Sequence, residues 1–261
     1  MLFHFLHYVL LLKEQGHFGE VEYVQPLTFV FVQELFQCVL PEHYPQLTFA
    51  RKETRSDKGT QEKEVSINYE TFIDVGQELV LVKGETDISI FYEGVCVFVW
   101  EDKNLNQTLD SPKERGQILV EVKACAEEFK GKVGIEAPLI SGVETSGQCW
   151  TFCFRSYESG EPVMHLSYPV STIDKDEIIH EVLDMVVVYL IQSVCASETL
   201  IDIIKSQTVR RLNILRNPLK DADEDNYDED GDGSESHSEN DVVSNLHSFP
   251  SLSLNSTQPS A

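Results

Sequence analysis

The sequence predicts an α/β protein, with a mixed central sheet flanked by helices over residues 1–216 and a disordered acidic tail over 217–261. Three observations predict it. Short β-branched and aromatic runs, broken by glycine turns, alternate with capped segments of helical period. One run, residues 95–100, is apolar on both alternating faces, as a strand covered on both sides must be. Beyond Pro218 the residues are mostly Asp, Glu, Ser and Asn, too polar to bury the surface that ordering requires.

The elements follow in chain order. Residues 1–12 are apolar, without a basic leader or a small-residue cleavage site, and are shorter than the roughly 20 residues that span a bilayer, so a buried helix or strand is expected. No other run is judged long enough to span, and no membrane partner is expected. Residues 26–40 are amphipathic, carry Glu34 and end at Pro41; their β-branched and aromatic content leaves helix and strand both open. A charged loop over 50–64 precedes one or two strands in 65–82, the better one at 78–82. Then come a strand at 88–92, a turn at Glu93-Gly94 and a strand at 95–103. Ser111-Pro112-Lys113-Glu114 is a capping box with proline at the first helical position. Ile118, Val122, Cys125 and Phe129 carry that helix to a stop at Gly131.

Strands are expected at 135–144, 148–155 and 163–168, with turns at Ser146-Gly147 and Ser159-Gly160. A buried helix should start at Asp174, with Glu177 completing its cap, and run through the apolar stretch 178–194. A last helix, about 198–214, ends among Arg210, Arg211 and Arg216. C-terminal helices are thus expected over 175–214.

Charge and cysteines narrow the function classes. The formal net charge is −24; the tail holds 11 of the 44 acidic residues and one basic residue, Lys220, which leaves 33 acidic and 19 basic residues in the body. A nucleic-acid binder usually has a basic footprint. Here basic residues are only local: Arg51, Lys52, Arg55 and Lys58, then Lys113, Arg115 and Lys123, then Arg210, Arg211 and Arg216. Six cysteines, Cys38, Cys96, Cys125, Cys149, Cys153 and Cys195, form no C-x-x-C pair, and most sit in apolar contexts. That predicts a reducing, intracellular setting, nuclear or cytoplasmic. Cys149 and Cys153 share a strand face but lack the second pair a zinc site needs. In such a compartment the glycosylation-type triplets at Asn106 and Asn255 carry no meaning.

The chemistry lies at the end of the 95–103 strand. Adjacent strand residues point to opposite faces, so Glu101 and Lys103 share one face and Asp102 takes the other. Where Asp87 points depends on register. A two-residue turn at Glu93-Gly94 sets Asp87 opposite Trp100, on the wrong face, unless a bulge corrects it. A three-residue loop, Tyr92-Glu93-Gly94, sets it opposite Val99 and diagonal to Glu101, and this register is the one expected. Two carboxylates at one spot repel each other, and a hard cation such as Mg²⁺ relieves the repulsion. A nearby ammonium can hold a water and stabilise developing negative charge.

In this order (helix, strand, Asp87, hairpin, Glu101-x-Lys103, helix) the chain resembles the PD-(D/E)XK, restriction-endonuclease-like nuclease superfamily. Thr86 stands where the motif's name has proline. Gly142-Val143-Glu144-Thr145-Ser146-Gly147-x-x-Trp150 is similar to a hairpin found after the motif helix in some members, and more loosely the chain is similar to the nuclease-like modules of Crinkler-type eukaryotic proteins. The likeness covers about 30–170, which sets the limits of the domain core, and is specific mainly over 84–150. It implies a restriction-endonuclease-like core and Mg²⁺- or Mn²⁺-dependent hydrolysis of DNA. It implies metal ligation by Asp87, Glu101, the main-chain carbonyl of Asp102 and, on the first helix, Glu34. Lys103 would act beside Glu101 and Asp87 as the catalytic group, with Gln117 supporting from the following helix.

Two other readings stand beside this one. The first is a catalytically silent module that keeps the fold and binds protein or DNA, which the acidic body favours. The second is an acidic-tailed regulatory binding protein of unrelated fold. The tail suits a basic partner or mimicry of nucleic acid, but a solubilising end is the simpler expectation. Its Asp228-x-Asp230-x-Asp232-Gly233-x₅-Glu239 run matches an EF-hand loop by letter, without amphipathic helices to flank it.

Overall fold

The computed structural model describes residues 1–18, 23–52, 68–75, 78–105, 107, 109, 112–158 and 160–216. The acidic tail with its EF-hand-like run, Arg55, Lys58 and most of the expected 50–64 loop lie outside the described residues.

Helix α1 (Leu2–Glu14) buries Leu2, Phe5, Leu6 and Val9, one stripe at helical spacing. Helix α2 (Gln25–Val39) settles the question left open for 26–40. Proline in its first turn fits a helix start, and its buried stripe runs through Thr28, Phe31, Val32, Leu35 and Phe36. Strand β1 (Leu47–Arg51) follows, then a separate antiparallel hairpin of β2 (Asn68–Val75) and β3 (Glu78–Glu85). Next come β4 (Ile88–Tyr92), β5 (Val95–Asp102), helix α3 (Pro112–Val133), β6 (Leu139–Thr145), β7 (Cys149–Glu158), β8 (Glu161–Leu166) and β9 (Val170–Ser171). A small hairpin of β10 (Ile173–Asp174) and β11 (Glu177–Ile178) leads into α4 (His180–Arg216).

The main sheet runs β1-β4-β5-β6-β7-β8, with β9 also on β7. β5 and β6 are parallel and joined by α3; the other pairs are antiparallel. Every residue of β5 is buried, as its doubly apolar pattern requires. On one face α3 comes very close: a Cβ at Gly142 would lie 2.6 Å from Val122 Cγ2 and 2.9 Å from Ile118 Cδ1 and Val99 Cγ2. Only glycine admits the helix at this distance. The other face is aromatic: Trp100 meets Trp150 edge-on at 5.8 Å, Phe36 meets Phe98 at 5.3 Å, and Phe5 meets Phe31 at 4.6 Å. Helix α4 closes that face, with Ser141 Oγ donating to the Ser193 carbonyl at 2.7 Å and Ser197 Oγ to the Val97 carbonyl at 3.1 Å.

Several boundaries differ from the sequence expectation: the strand expected at 135–144 is Leu139–Thr145 and that at 163–168 is Glu161–Leu166, and three helix ends differ for reasons the chain supplies. Helix α3 passes through Gly131 and ends at Val133, where Gly134 adopts φ 90°. Asp174 does not cap a helix. It begins a turn whose Lys175 and Asp176 have φ 47° and 66°, with Glu177 in the returning strand. The expected helices over 178–194 and 198–214 are one helix, because no glycine or proline interrupts residues 180–216.

Among the described residues one stretch, His180–Arg210, is by length and composition alone apolar enough to cross a bilayer, contrary to the expectation that no such run exists. Its scattered acidic residues hide it from a search for unbroken apolar runs. In this fold 44% of its most apolar window is buried, with Val186, Leu190 and Val194 in the core.

Candidate active site

The hairpin turn decides the site. Glu93 and Gly94 both have positive φ, 48° and 75°, which makes a two-residue turn, and Tyr92 pairs with Val95. The expected three-residue loop is therefore incorrect. The register then shifts: Phe91 pairs with Cys96, but Ile90 with Phe98 and Ile88 with Trp100, so Val97 is an extra residue on β5. Continued one step, the shifted register puts Asp87 across from Glu101 rather than Trp100. Twist and local packing favour the tight turn, and the bulge restores the face that the tight turn alone would lose.

Asp87 is 1% exposed, and its Oδ2 accepts the Asp102 amide at 3.0 Å. Its carbonyl accepts the Lys52 amide at 2.8 Å, and Lys52 Nζ lies 3.6 Å from its Oδ1. Glu101 and Lys103 point toward α3, with Lys103 Nζ 2.6 Å from Glu101 Oε1. The parallel neighbour β6 sets Glu144 beside Glu101, and Lys103 Nζ is 3.8 Å from Glu144 Oε1. From α3, Gln117 accepts from Lys103 Nζ through Oε1 at 2.6 Å. Its Nε2 donates to Glu101 Oε1 at 2.6 Å and to Glu121 Oε1 at 3.1 Å. Glu101 Oε2 and Glu121 Oε2 are buried and find no donor among the described residues beyond the facing carboxyl group.

Burial, then the charges of Glu121 and Asp87, hold the Glu101 carboxyl well above the ordinary carboxylate range. Burial likewise pushes Glu121 up to about 8. Burial works against the Lys103 ammonium, but Glu101, Glu144 and Asp87 outweigh it and raise its pKa. The lysine therefore stays charged at neutral pH.

Asp102 takes the opposite face. Trp100 Nε1 donates to its Oδ1 at 2.9 Å and Thr28 Oγ1 to its Oδ2 at 2.6 Å. Glu34 does not join the site: it lies on the exposed side of α2, while Gln25 and Thr28 occupy the side facing the hairpin. The helical spacing from Thr28 to Glu34 carries it around to solvent.

Sequence reasoning missed Glu121, Glu144 and Lys52. Glu121 had a signal, being four residues after Gln117 and therefore on the same helix face. Glu144 was inside the quoted Gly142–Trp150 motif, and a parallel strand after a helical crossover ends beside its partner. Lys52 had none, because only the pairing of β1 with β4 brings it to Asp87.

Four carboxylates (Asp87, Glu101, Glu121 and Glu144) thus surround Lys103, with Lys52 at the edge. Hard oxygen donors in this number, two with open buried oxygens, suit Mg²⁺ or Mn²⁺. Among the described residues no group of three or more His, Cys, Asp or Glu side chains stands arranged to hold a metal ion. Lysine ammonium groups lie against Asp87 and Glu101 instead. All six cysteines are free thiols. No protein-family model and no curated protein sequence matches the chain.

Proposed function

We propose that this protein is a Mg²⁺- or Mn²⁺-dependent nuclease that hydrolyses DNA phosphodiester bonds on a PD-(D/E)XK-type fold. The observation that carries the reading is the meeting of Asp87, Glu101 and Lys103 at one end of the hairpin, ahead of α3. The order α2, β1, Asp87, hairpin, Glu101-x-Lys103, α3 supports it. Asp87 and Glu101 would hold the cation, with the Asp102 carbonyl as the resemblance implies. A bound divalent cation supplies Lewis acidity toward a phosphoryl oxygen and lowers the pKa of a bound water.

The chain's own groups do the rest. The charged Lys103 ammonium holds the attacking water and stabilises negative charge that develops on the phosphoryl oxygens. Gln117 bonds both Lys103 and Glu101 and so fixes their spacing. Trp100 and Thr28 clamp the Asp102 side chain, which holds the backbone between Glu101 and Lys103 in place. Six free thiols favour an intracellular setting, nuclear or cytoplasmic.

A second reading, a silent module of the same fold that binds protein or DNA, draws support from the acidic body and from the depth of the site, where Lys103 is only 7% exposed. The test incubates the full chain with plasmid and single-stranded DNA, with Mg²⁺, Mn²⁺ or chelator, beside Lys103→Ala. Metal-dependent cleavage that the variant lacks is the expected result. No cleavage of either DNA by the wild type under any of these conditions would leave the silent module.

A further inference from the structure

We propose that Glu121 of α3 is itself a ligand of the divalent cation, sharing it with Glu101. The inference rests on the metal-dependent reading above and goes past the ligand set that the resemblance implies.

Three observations carry it. Gln117 Nε2 engages one oxygen of each carboxylate, Glu101 Oε1 at 2.6 Å and Glu121 Oε1 at 3.1 Å. The second oxygen of each, Oε2, is buried and finds no donor among the described residues beyond the facing carboxyl group, on side chains that are 3% and 1% exposed. The two carboxyl groups lie within hydrogen-bonding reach of each other, so one ligand can meet both. An orphaned buried carboxylate oxygen is expensive, and two adjacent ones are more so.

The local charge asks for the same ligand. Asp87, Glu101, Glu121 and Glu144 are set against Lys103 inside and the half-exposed Lys52 at the edge. With all four carboxyl groups ionised, the two ammonium groups leave an excess of two negative charges, which a divalent cation balances. Without the cation, burial favours protons on Glu101 and Glu121, and the cation would displace them. Hard carboxylate oxygens select an oxygen-seeking ion over a thiophilic one. Gly142 makes the reach possible: the missing Cβ, which would stand 2.6 Å from Val122 Cγ2, lets α3 lie close enough for Glu121 to approach β5.

The test titrates chelator-stripped full-length protein with Mn²⁺ and follows the free-ion signal by electron paramagnetic resonance. Four chains are compared: wild type, Glu121→Gln, Glu121→Asp and Asp87→Asn. Circular dichroism checks that each is folded. The expected result is binding by the wild type and at least tenfold weaker binding by Glu121→Gln and by Asp87→Asn. Glu121→Asp keeps the charge but shortens the reach, and should also bind more weakly than wild type.

Loss of affinity in Asp87→Asn with none in Glu121→Gln would overturn the role of Glu121 and leave the metal-dependent reading standing. Wild-type affinity in Glu121→Asp alongside weak binding in Glu121→Gln would make Glu121 a source of field rather than a ligand, and would also overturn the inference. No Mn²⁺ binding by the wild type would overturn the metal-dependent reading and this inference with it.

Discussion

Glu101 and Asp102 are neighbours in sequence, both acidic and both buried, at 3% and 0% exposure, yet the fold treats them oppositely. Asp102 faces the aromatic side, where an indole and a hydroxyl satisfy its two oxygens. Glu101 faces α3, where it meets three other carboxyl groups and where its outer oxygen finds only one of them for a partner among the described residues. The first arrangement is complete in itself and holds the backbone. The second sets carboxyl groups against one another with no other donor between their outer oxygens among the described residues. A buried carboxylate is informative through what it lacks, and the two sides of one strand end supply the contrast.

Four experiments break or sharpen that contrast. The largest effect is expected from Lys103→Ala, which should lower DNA cleavage by about 10²–10³-fold, as removal of a group that stabilises developing charge does. Its Mn²⁺ affinity should survive. Cleavage at the wild-type rate would remove the open side's catalytic role.

Next is Asp102→Ala, which orphans the Trp100 N–H and the Thr28 hydroxyl in the core. It should cost about 3 kcal/mol and lower Tm by roughly 10 °C. Glu101→Gln should leave the metal-free Tm unchanged or raise it, since it relieves repulsion. Equal Tm losses in the two variants would erase the distinction between the faces.

Gly142→Ala comes third. Its methyl would press on Val122, Ile118 and Val99, and should cost about 1–3 kcal/mol in thermal unfolding. It should also weaken Mn²⁺ binding by lifting α3 away from β5. Unchanged stability would mean that α3 yields without strain.

The smallest effect concerns pH. Burial raises the Glu121 pKa from 4.5 to about 8 in the folded chain. The folded state then binds the proton more tightly than the unfolded one. Its stabilising effect is full below pH about 4.5 and is lost as pH rises through about 8. Glu121→Gln cannot lose it. Without metal, this variant should melt a few degrees above wild type at pH 8, at roughly 2–4 °C per kcal/mol, with a smaller gap at pH 5. Parallel Tm profiles for the two proteins would argue against the strain assigned to Glu121.

Much of this architecture is legible in the sequence, and the reasons are specific. The doubly apolar 95–100 run announces a central strand, and period-two alternation separates Asp102 from Glu101 and Lys103. Such signals are local. The register of the hairpin is not local, because it depends on a bulge that no residue type marks: Val97 is as good a strand residue as its neighbours. Glu34 was misplaced because a carboxylate on the right helix need not be on the right side of it. Lys52 and Glu144 reach the site only through strand pairing between distant parts of the chain, which a single sequence does not display. At Asp174 a hairpin of Lys-Asp rather than Asn-Gly type imitated a helix cap, since aspartate serves both.

The extra residue on β5 also makes the hairpin a parity device. Were Val97 drawn into the ladder to pair with Ile90, every partner below it would slip by one and Asp87 would stand across from Trp100, among the rings. Loss of Val97 itself closes the ladder instead: Phe98 then follows Cys96 and Asp87 still stands across from Glu101. A one-residue deletion at the bulge should therefore keep the acidic cluster, where a one-residue insertion beside it should not.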